Sequence, residues 1–262
     1  MNPVGSLHRP ASQKAAPTFR DASHRADSAA AFRRGADVYD DVRPSYPPEV
    51  AMLIDDCSRV ADIGAGTGKL TSTLLRPTRT VFASDPSADM TRVLAASFPS
   101  LGVWRATAEN TALRSSRVDA LTCAQTWHWV DTAAASAEAD RVIAPGGKLL
   151  LVWNTLDVSH PWILRLARIM RSGDIQREGF YPEVSAPWVL HDELRMRWIQ
   201  HLTTDQVYAL SQTRSSWLRA SEEVRERMKE NLRWYLFDRL EFQPGQLLPI
   251  PYRTEAFVYK RD

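Results

Sequence analysis

The stretch "ADIGAGTGKL", Ala61 to Leu70, sets Gly64, Gly66 and Gly68 between an apolar run and a helix-like segment. Glycine lets the backbone take positive φ and lets another group come close. The residues around the turn therefore have to say what approaches it. A phosphate-gripping loop needs G-x-x-x-x-G-K followed by Ser or Thr, but Gly68-Lys69 is followed by Leu70, and Ile63 stands where the first glycine belongs. A dinucleotide fingerprint, G-x-G-x-x-G counted from Gly64, would put its third glycine where Lys69 stands, which weakens that reading without excluding it. What remains is D-x-G-x-G-x-G, with Asp62 at the end of the first strand.

Outward from the turn, short apolar runs recur at "RVADI", "TVFAS", "LGVWRA", "VDALTCA" and "KLLLVW", each separated by a segment long enough for a helix. That alternation predicts an α/β doubly wound domain, a mostly parallel sheet with helices on both faces. The helix "TAAASAEADRVIA" is expected to stop at Pro145-Gly146-Gly147. After Asn154 the pattern changes. "WILRLARIMRS" puts Ile163, Leu166 and Met170 on one helical stripe and Arg165, Arg168 and Arg171 on another, usually a solvated face. A further helix is expected from about Ser221, as N-cap, to Phe237, with Val224, Met228, Leu232 and Tyr235 inward. "RMRWIQHL" and "TEAFVYK" read as strands completing the sheet. The expected organisation is a flexible tail over residues 1–30 and one domain over 31–262, in which 156–240 holds a substrate-side helical cap interleaved with the late strands.

Composition limits the partners. With 262 residues, 44% of them hydrophobic, the chain can bury one sizeable core. A net charge of +2, from 33 basic and 31 acidic residues, gives no field strong enough to hold nucleic acid or an anionic membrane by charge alone. No apolar run approaches the roughly 20 residues that span a bilayer, and the N-terminus lacks a secretory apolar stretch, so a cytoplasmic protein without membrane insertion is expected. Cys57 and Cys123 lack zinc spacing and are expected as buried free thiols; no metal requirement is visible.

The Asp62 to Gly68 arrangement resembles motif I of the class I S-adenosylmethionine-dependent methyltransferases, and the resemblance extends over most of the chain. It implies a Rossmann-like, mostly parallel seven-stranded sheet with an antiparallel C-terminal strand. S-adenosylmethionine is then the implied cofactor, its methionine end against Gly64, Ala65, Gly66 and Gly68, its ammonium near Asp62. An acidic residue about 20 positions on should take the ribose hydroxyls, and Asp85 in "VFASDPSADM" stands there; its alternative is to cap the next helix. "RATAENTAL" resembles the motif after the third strand, with Ala108 allowing close approach and Glu109 near the adenine, unless Glu109 is an exposed loop acid. "AQTWHWVD" follows the fourth strand, where methyl transfer should open, and "APGGKLLLVWN" resembles the turn and fifth strand of the type 11 branch. "YDDVRPSYP" with "TWHWVD" looks like the trans-aconitate methyltransferase-like subgroup. There Tyr39 would stack near the sulfonium and Arg43 would pair with the methionine carboxylate, under a lid that could equally be a surface linker.

His128 is the candidate catalytic base, because neutral imidazole accepts a proton near physiological pH, although an aromatic wall between Trp127 and Trp129 is equally sensible. A carboxylate acceptor needs no base. The implied activity is methyl transfer to a small molecule, a small organic acid first. The alternatives are a noncatalytic, cofactor-sensing binding protein and, disfavoured by charge, a nucleic-acid methyltransferase.

Overall fold

The computed structural model describes residues 41–172 and 175–262. The expected tail, residues 1–30, and the Tyr39 assignment lie outside the described residues.

A short helix α1 (Glu49–Met52) leads into β1 (Arg59–Ile63), α2 (Lys69–Leu74), β2 (Thr80–Ser84), α3 (Ala88–Ser97), β3 (Gly102–Trp104), β4 (Val118–Ala124), α4 (Thr132–Val142) and β5 (Ile143–Leu156). These five strands pair in parallel. Their interior is almost continuously buried because helices cover both faces, which is why they read as unbroken apolar runs. Then come α5 (Pro161–Ile169), β6 (Trp188–Thr203), α6 (Thr204–Gln212), α7 (Ser215–Leu218), α8 (Glu222–Arg233) with a π turn at Trp234–Arg239, and β7 (Leu247–Arg261). The seven-stranded sheet runs β3-β2-β1-β4-β5-β7-β6, with β7 antiparallel to both its neighbours. The chain leaves β1 toward β2 and later crosses back to place β4 on β1's other side. At such a switch point a crevice opens beyond the carboxyl ends of the strands.

Against one sheet face, Trp127, Leu149, Leu151, Trp153, Trp188 and Phe257 pack with α4 residues Ala135 and Ala139. On the other, Val50, Ile54, Leu70 and Leu74 pack against Val152 and Ala256. The later helices share a third cluster through Ile163, Leu166, Val207, Leu210, Leu232 and Leu236. Each fully buried large aliphatic contributes about 1.5–3 kcal/mol. Arg165, Arg168 and Arg171 are exposed to solvent rather than forming a clamp. Cys57 and Cys123 are buried free thiols; burial pushes Cys57 up to about 11 and Cys123 upward too, which keeps both inert at neutral pH.

One local expectation is corrected. The helix α4 ends at Val142, and Pro145-Gly146-Gly147 lies inside β5. Ile143 already pairs with Val118, while Ala120 faces Lys148, so the Pro-Gly-Gly stretch is a bulge. A Cβ on Gly147 would lie 2.5 Å from the Asp119 carbonyl, which is why the bulge needs glycine there. Ser221 stands at the N-cap position of α8 with extended backbone, yet its side chain makes no capping bond.

Candidate functional site

The three glycines after β1 all have positive φ, but their surroundings differ. A Cβ on Gly64 would sit 2.4 Å from both Cγ2 and Oγ1 of Thr126, and one on Gly68 would sit 2.6 Å from Leu94 and 2.7 Å from Phe98. A Cβ on Gly66 would meet nothing within 4 Å. Gly64 therefore lets the β1 turn close on the β4 turn, Gly68 lets α2 close on α3, and Gly66 alone presents bare backbone to open space. Ala65 N–H donates to the Ser84 carbonyl (2.9 Å), tying the turn to the end of β2.

Asp62 closes β1 with no solvent exposure. Its carboxylate accepts the hydroxyls of Thr71 (2.6 Å) and Thr122 (2.9 Å), one from α2 and one from β4. Burial outweighs these bonds and, with the nearby Asp85 charge, pushes Asp62 up to about 6. The folded chain thus binds a proton that the unfolded chain releases near 3.9, so stability falls as pH rises from about 4 to about 6 and levels off above. The span corresponds to an effect of up to about 3 kcal/mol. In Asp62→Asn, the amide keeps an acceptor for one threonine and offers a donor to the other hydroxyl, so that decline is expected to become shallower, with the part due to Asp85, whose pKa burial also raises, remaining. Urea denaturation of both proteins across this range checks it; the same slope in the variant would assign it to another group.

Asp85 follows β2. Its Oδ2 accepts Gly66 N–H (3.0 Å) and its Oδ1 accepts Ser87 N–H (2.8 Å), while Ser87 itself caps α3. The carboxylate therefore holds the glycine turn and shapes the helix entry together, and burial raises its pKa. A carboxylate has about four acceptor positions, so two remain for hydroxyl donors.

Ala108 is buried, and Glu109 Oε1 accepts the Asp131 N–H (2.9 Å). Asp131 in turn caps α4 through Ala134 N–H (3.0 Å). Glu109 thus joins the loop after β3 to the end of the "TWHWVD" stretch. In that stretch, Trp127–Trp129 forms one 3-10 turn. Trp127 is buried and donates Nε1–H to the Glu183 carbonyl (2.8 Å); His128 is half-buried and its Nδ1 accepts the Trp153 indole N–H (3.3 Å).

Arg43 gives two donors to Thr213, Nε to its hydroxyl (2.9 Å) and Nη2 to its carbonyl (2.8 Å), linking the segment before α1 to the turn after α6. Val42 and Tyr46 are buried, the Val42 carbonyl accepts Gln200 Nε2, and the Ser45 carbonyl accepts Asn154 Nδ2. This segment is packed structure rather than a surface linker.

A family model described as "Methyltransferase domain" matches residues 61–151, from within β1 into β5. An uncharacterized methyltransferase of Mycobacterium tuberculosis is 37% identical over 234 residues, covering 88% of this chain and 95% of the relative. The chain belongs to the class I S-adenosylmethionine-dependent methyltransferases. An uncharacterized methyltransferase-like protein of Schizosaccharomyces pombe is 28% identical over 247 residues, with 88% of this chain and 95% of the relative covered. The YcgJ protein of Bacillus subtilis shares the fold, with a TM-score of 0.50 at 19% identity, covering 82% of this chain and 99% of that one.

Three residues of this methyltransferase's turn region escaped the sequence reading. Thr126 Oγ1 donates toward the Gly64 and Ala124 carbonyls (3.1 and 2.9 Å) and is the wall that keeps Gly64 bare. Gln125 adopts φ +51, uncommon for a residue with a side chain, and its Nε2 bonds the Asn154 carbonyl while its buried Oε1 has no partner. Trp153 supplies the bond to His128. Only its place in "LLLVWN" hinted at it; nothing local links it to the β4 turn. Among the described residues, no cluster of His, Cys, Asp and Glu could hold a metal ion, and no helix is long and apolar enough to cross a membrane.

Proposed function

We propose that this methyltransferase binds S-adenosylmethionine against the β1 turn and methylates a small molecule, a small organic acid being the acceptor class. The observation that carries the cofactor reading is Gly66: its neighbouring glycines are bare because protein atoms crowd them, whereas its own missing side chain faces open space at the turn that the Asp85 carboxylate braces. When bound, S-adenosylmethionine supplies an electrophilic methyl group on a sulfonium. Asp85 would take the ribose hydroxyls with its remaining acceptor positions, and Ala108 and Glu109 would border the adenine. Gly64, Ala65, Gly66 and Gly68 would let the methionine end approach, with the buried charge of Asp62 behind them. Arg43, and Tyr39 ahead of it, would close over that end.

The acceptor reading is supported by the resemblance to small-molecule methyltransferases and by the turn beyond β4, where half-buried His128 and Trp129 stand beside each other over the buried Trp127. The balanced charge of the chain supports no polyanionic acceptor.

The test is calorimetric titration with S-adenosylmethionine and S-adenosylhomocysteine, followed by an S-adenosylhomocysteine-release assay over carboxylic acids, phenols and amines. Saturable binding with acid-dependent release is expected. No binding by the folded protein overturns the cofactor site. Binding without turnover on any acceptor favours the noncatalytic, cofactor-sensing reading.

A further inference from the structure

We propose that Thr155, Arg253 and Glu255 recognise the methyl acceptor, and that the acceptor is an acid carrying a hydroxyl or ammonium group beside its carboxylate. The inference rests on the small-organic-acid reading given above and narrows it.

The three residues share one face of neighbouring strands. Thr155 of β5 stands opposite Arg253 of β7, and Trp153, two residues earlier and so on the same face, stands opposite Glu255. Across β7, Arg195 and Arg197 of β6 stand opposite Glu255 and Arg253. β4 ends at Ala124, opposite Val152, so Trp153 to Thr155 continue past it. The same face meets the turn after β4, because the Trp153 indole reaches His128. With adjacent strands about 4.8 Å apart, β7 lies about 10 Å from the line of β4, a span that a small molecule covers.

Thr155, Arg253 and Glu255 are 1%, 4% and 2% exposed, yet each holds a buried polar atom with no hydrogen-bond partner among the described residues: Thr155 Oγ1, Arg253 Nε and Glu255 Oε2. Such atoms are costly unless something else pairs with them. Arg253 Nη2 donates to the Gln176 carbonyl (2.7 Å), while the carboxylates of Glu178 and Glu255 stand off at 3.6 and 3.8 Å. Glu255 Oε1 accepts from Arg195 (2.8 Å), which leaves Oε2 over. The unmet set is thus two donors, Arg253 Nε–H and the Thr155 hydroxyl, and one carboxylate oxygen. A carboxylate answers the two donors, and an O–H or N–H on the next carbon answers the oxygen. Glu178 marks the way in. It is exposed and also pairs with Arg197, so an incoming carboxylate can replace it at Arg253 without leaving it unpaired.

The probes are matched acids, lactate, alanine and propionate with their 3-phenyl derivatives, titrated calorimetrically in the presence of S-adenosylhomocysteine. Either the hydroxy or the amino acids should bind about tenfold or more tightly than the unsubstituted ones, and the preferred set identifies the donor. Thr155→Val, which keeps the shape and loses the hydroxyl, should weaken acid binding about tenfold with no loss of stability in urea. Glu255→Gln should shrink the preference for the donor-bearing acid. Glu178→Gln should tighten acid binding several-fold by removing the competing carboxylate, a gain that a purely structural ion pair does not give. Unchanged affinity in Thr155→Val, or no gain in Glu178→Gln, overturns the proposal. Equal binding of all three acids of a set removes the role of Glu255. Binding by none of these acids also overturns the proposal; S-adenosylhomocysteine release with other carboxylic acids then keeps the acid reading, and release only with phenols or amines removes it.

Discussion

Gly64→Ala is expected to lower folding stability by about 3–4 kcal/mol, while Gly66→Ala, two residues on and at a similar positive φ, lowers it by only about 1 kcal/mol. Left-handed backbone costs a residue with Cβ about 1–2 kcal/mol wherever it occurs. At Gly64 that cost is joined by a collision, since the new Cβ would lie 2.4 Å from two Thr126 atoms. Thr126 cannot swing away without giving up its bonds to the Gly64 and Ala124 carbonyls. At Gly66 there is nothing to strike. The defect in Gly66→Ala should instead appear as weaker S-adenosylmethionine binding, because the methyl group would enter the open space proposed for the methionine end. Thermal and urea unfolding of the two variants, with Gly64→Ala/Thr126→Gly as partner, decides it: the second substitution should recover the steric share of the loss and leave the backbone share. Similar stability for Gly64→Ala and Gly66→Ala would mean that the Thr126 wall yields.

Asp85→Ala is expected to weaken S-adenosylmethionine binding by about 100-fold or more. Two hydrogen bonds from ribose hydroxyls to a carboxylate are worth about 1.5–3 kcal/mol each, and every 1.4 kcal/mol is tenfold in affinity. Part of the loss comes from the turn itself, because Gly66 N–H and Ser87 N–H lose their acceptor. Asp85→Asn separates the contributions: an amide oxygen still serves one of these N–H groups, but the charge is gone. Calorimetry on wild type and both variants should rank them in that order, with Asp85→Ala still folded but less stable by about 1–2 kcal/mol. Unchanged affinity in Asp85→Ala removes the ribose assignment and leaves Asp85 as a purely structural brace.

The central turn was readable because its signals are local: three glycines at fixed spacing, an acid before them and another after the next strand. The parallel sheet was readable because strands buried on both faces leave unbroken apolar runs. The Pro-Gly-Gly stretch was misread because the same residues that stop a helix also make a bulge, and only the strand partner, Val118 opposite Ile143, tells them apart. The solvated helical face of Arg165 and Arg168 was readable from period alone, whereas Arg171 lies beyond the end of α5 with φ +48 and is off that row. Partners that come from distant strands left no trace. Thr122 reaches Asp62, Glu109 reaches Asp131, and Trp153 reaches His128, each across a gap in sequence that the sheet order closes.

The position of β7 bears on how the chain emerges from the ribosome. β7 lies between β5 and β6 and pairs with each along most of its length, while β6, made earlier, pairs in the sheet only with β7. Until residues 247–261 are synthesised, β5 has an open flank and the sixteen residues of β6 have no ladder to join. The nascent chain must carry this unpaired strand, with Val189, Leu190 and Ile199 exposed even in the finished fold, through the translation of everything between Thr204 and Gln246. A pause or premature stop in that interval would leave the parallel strands beside an uncapped sheet edge, an arrangement prone to edge-to-edge aggregation.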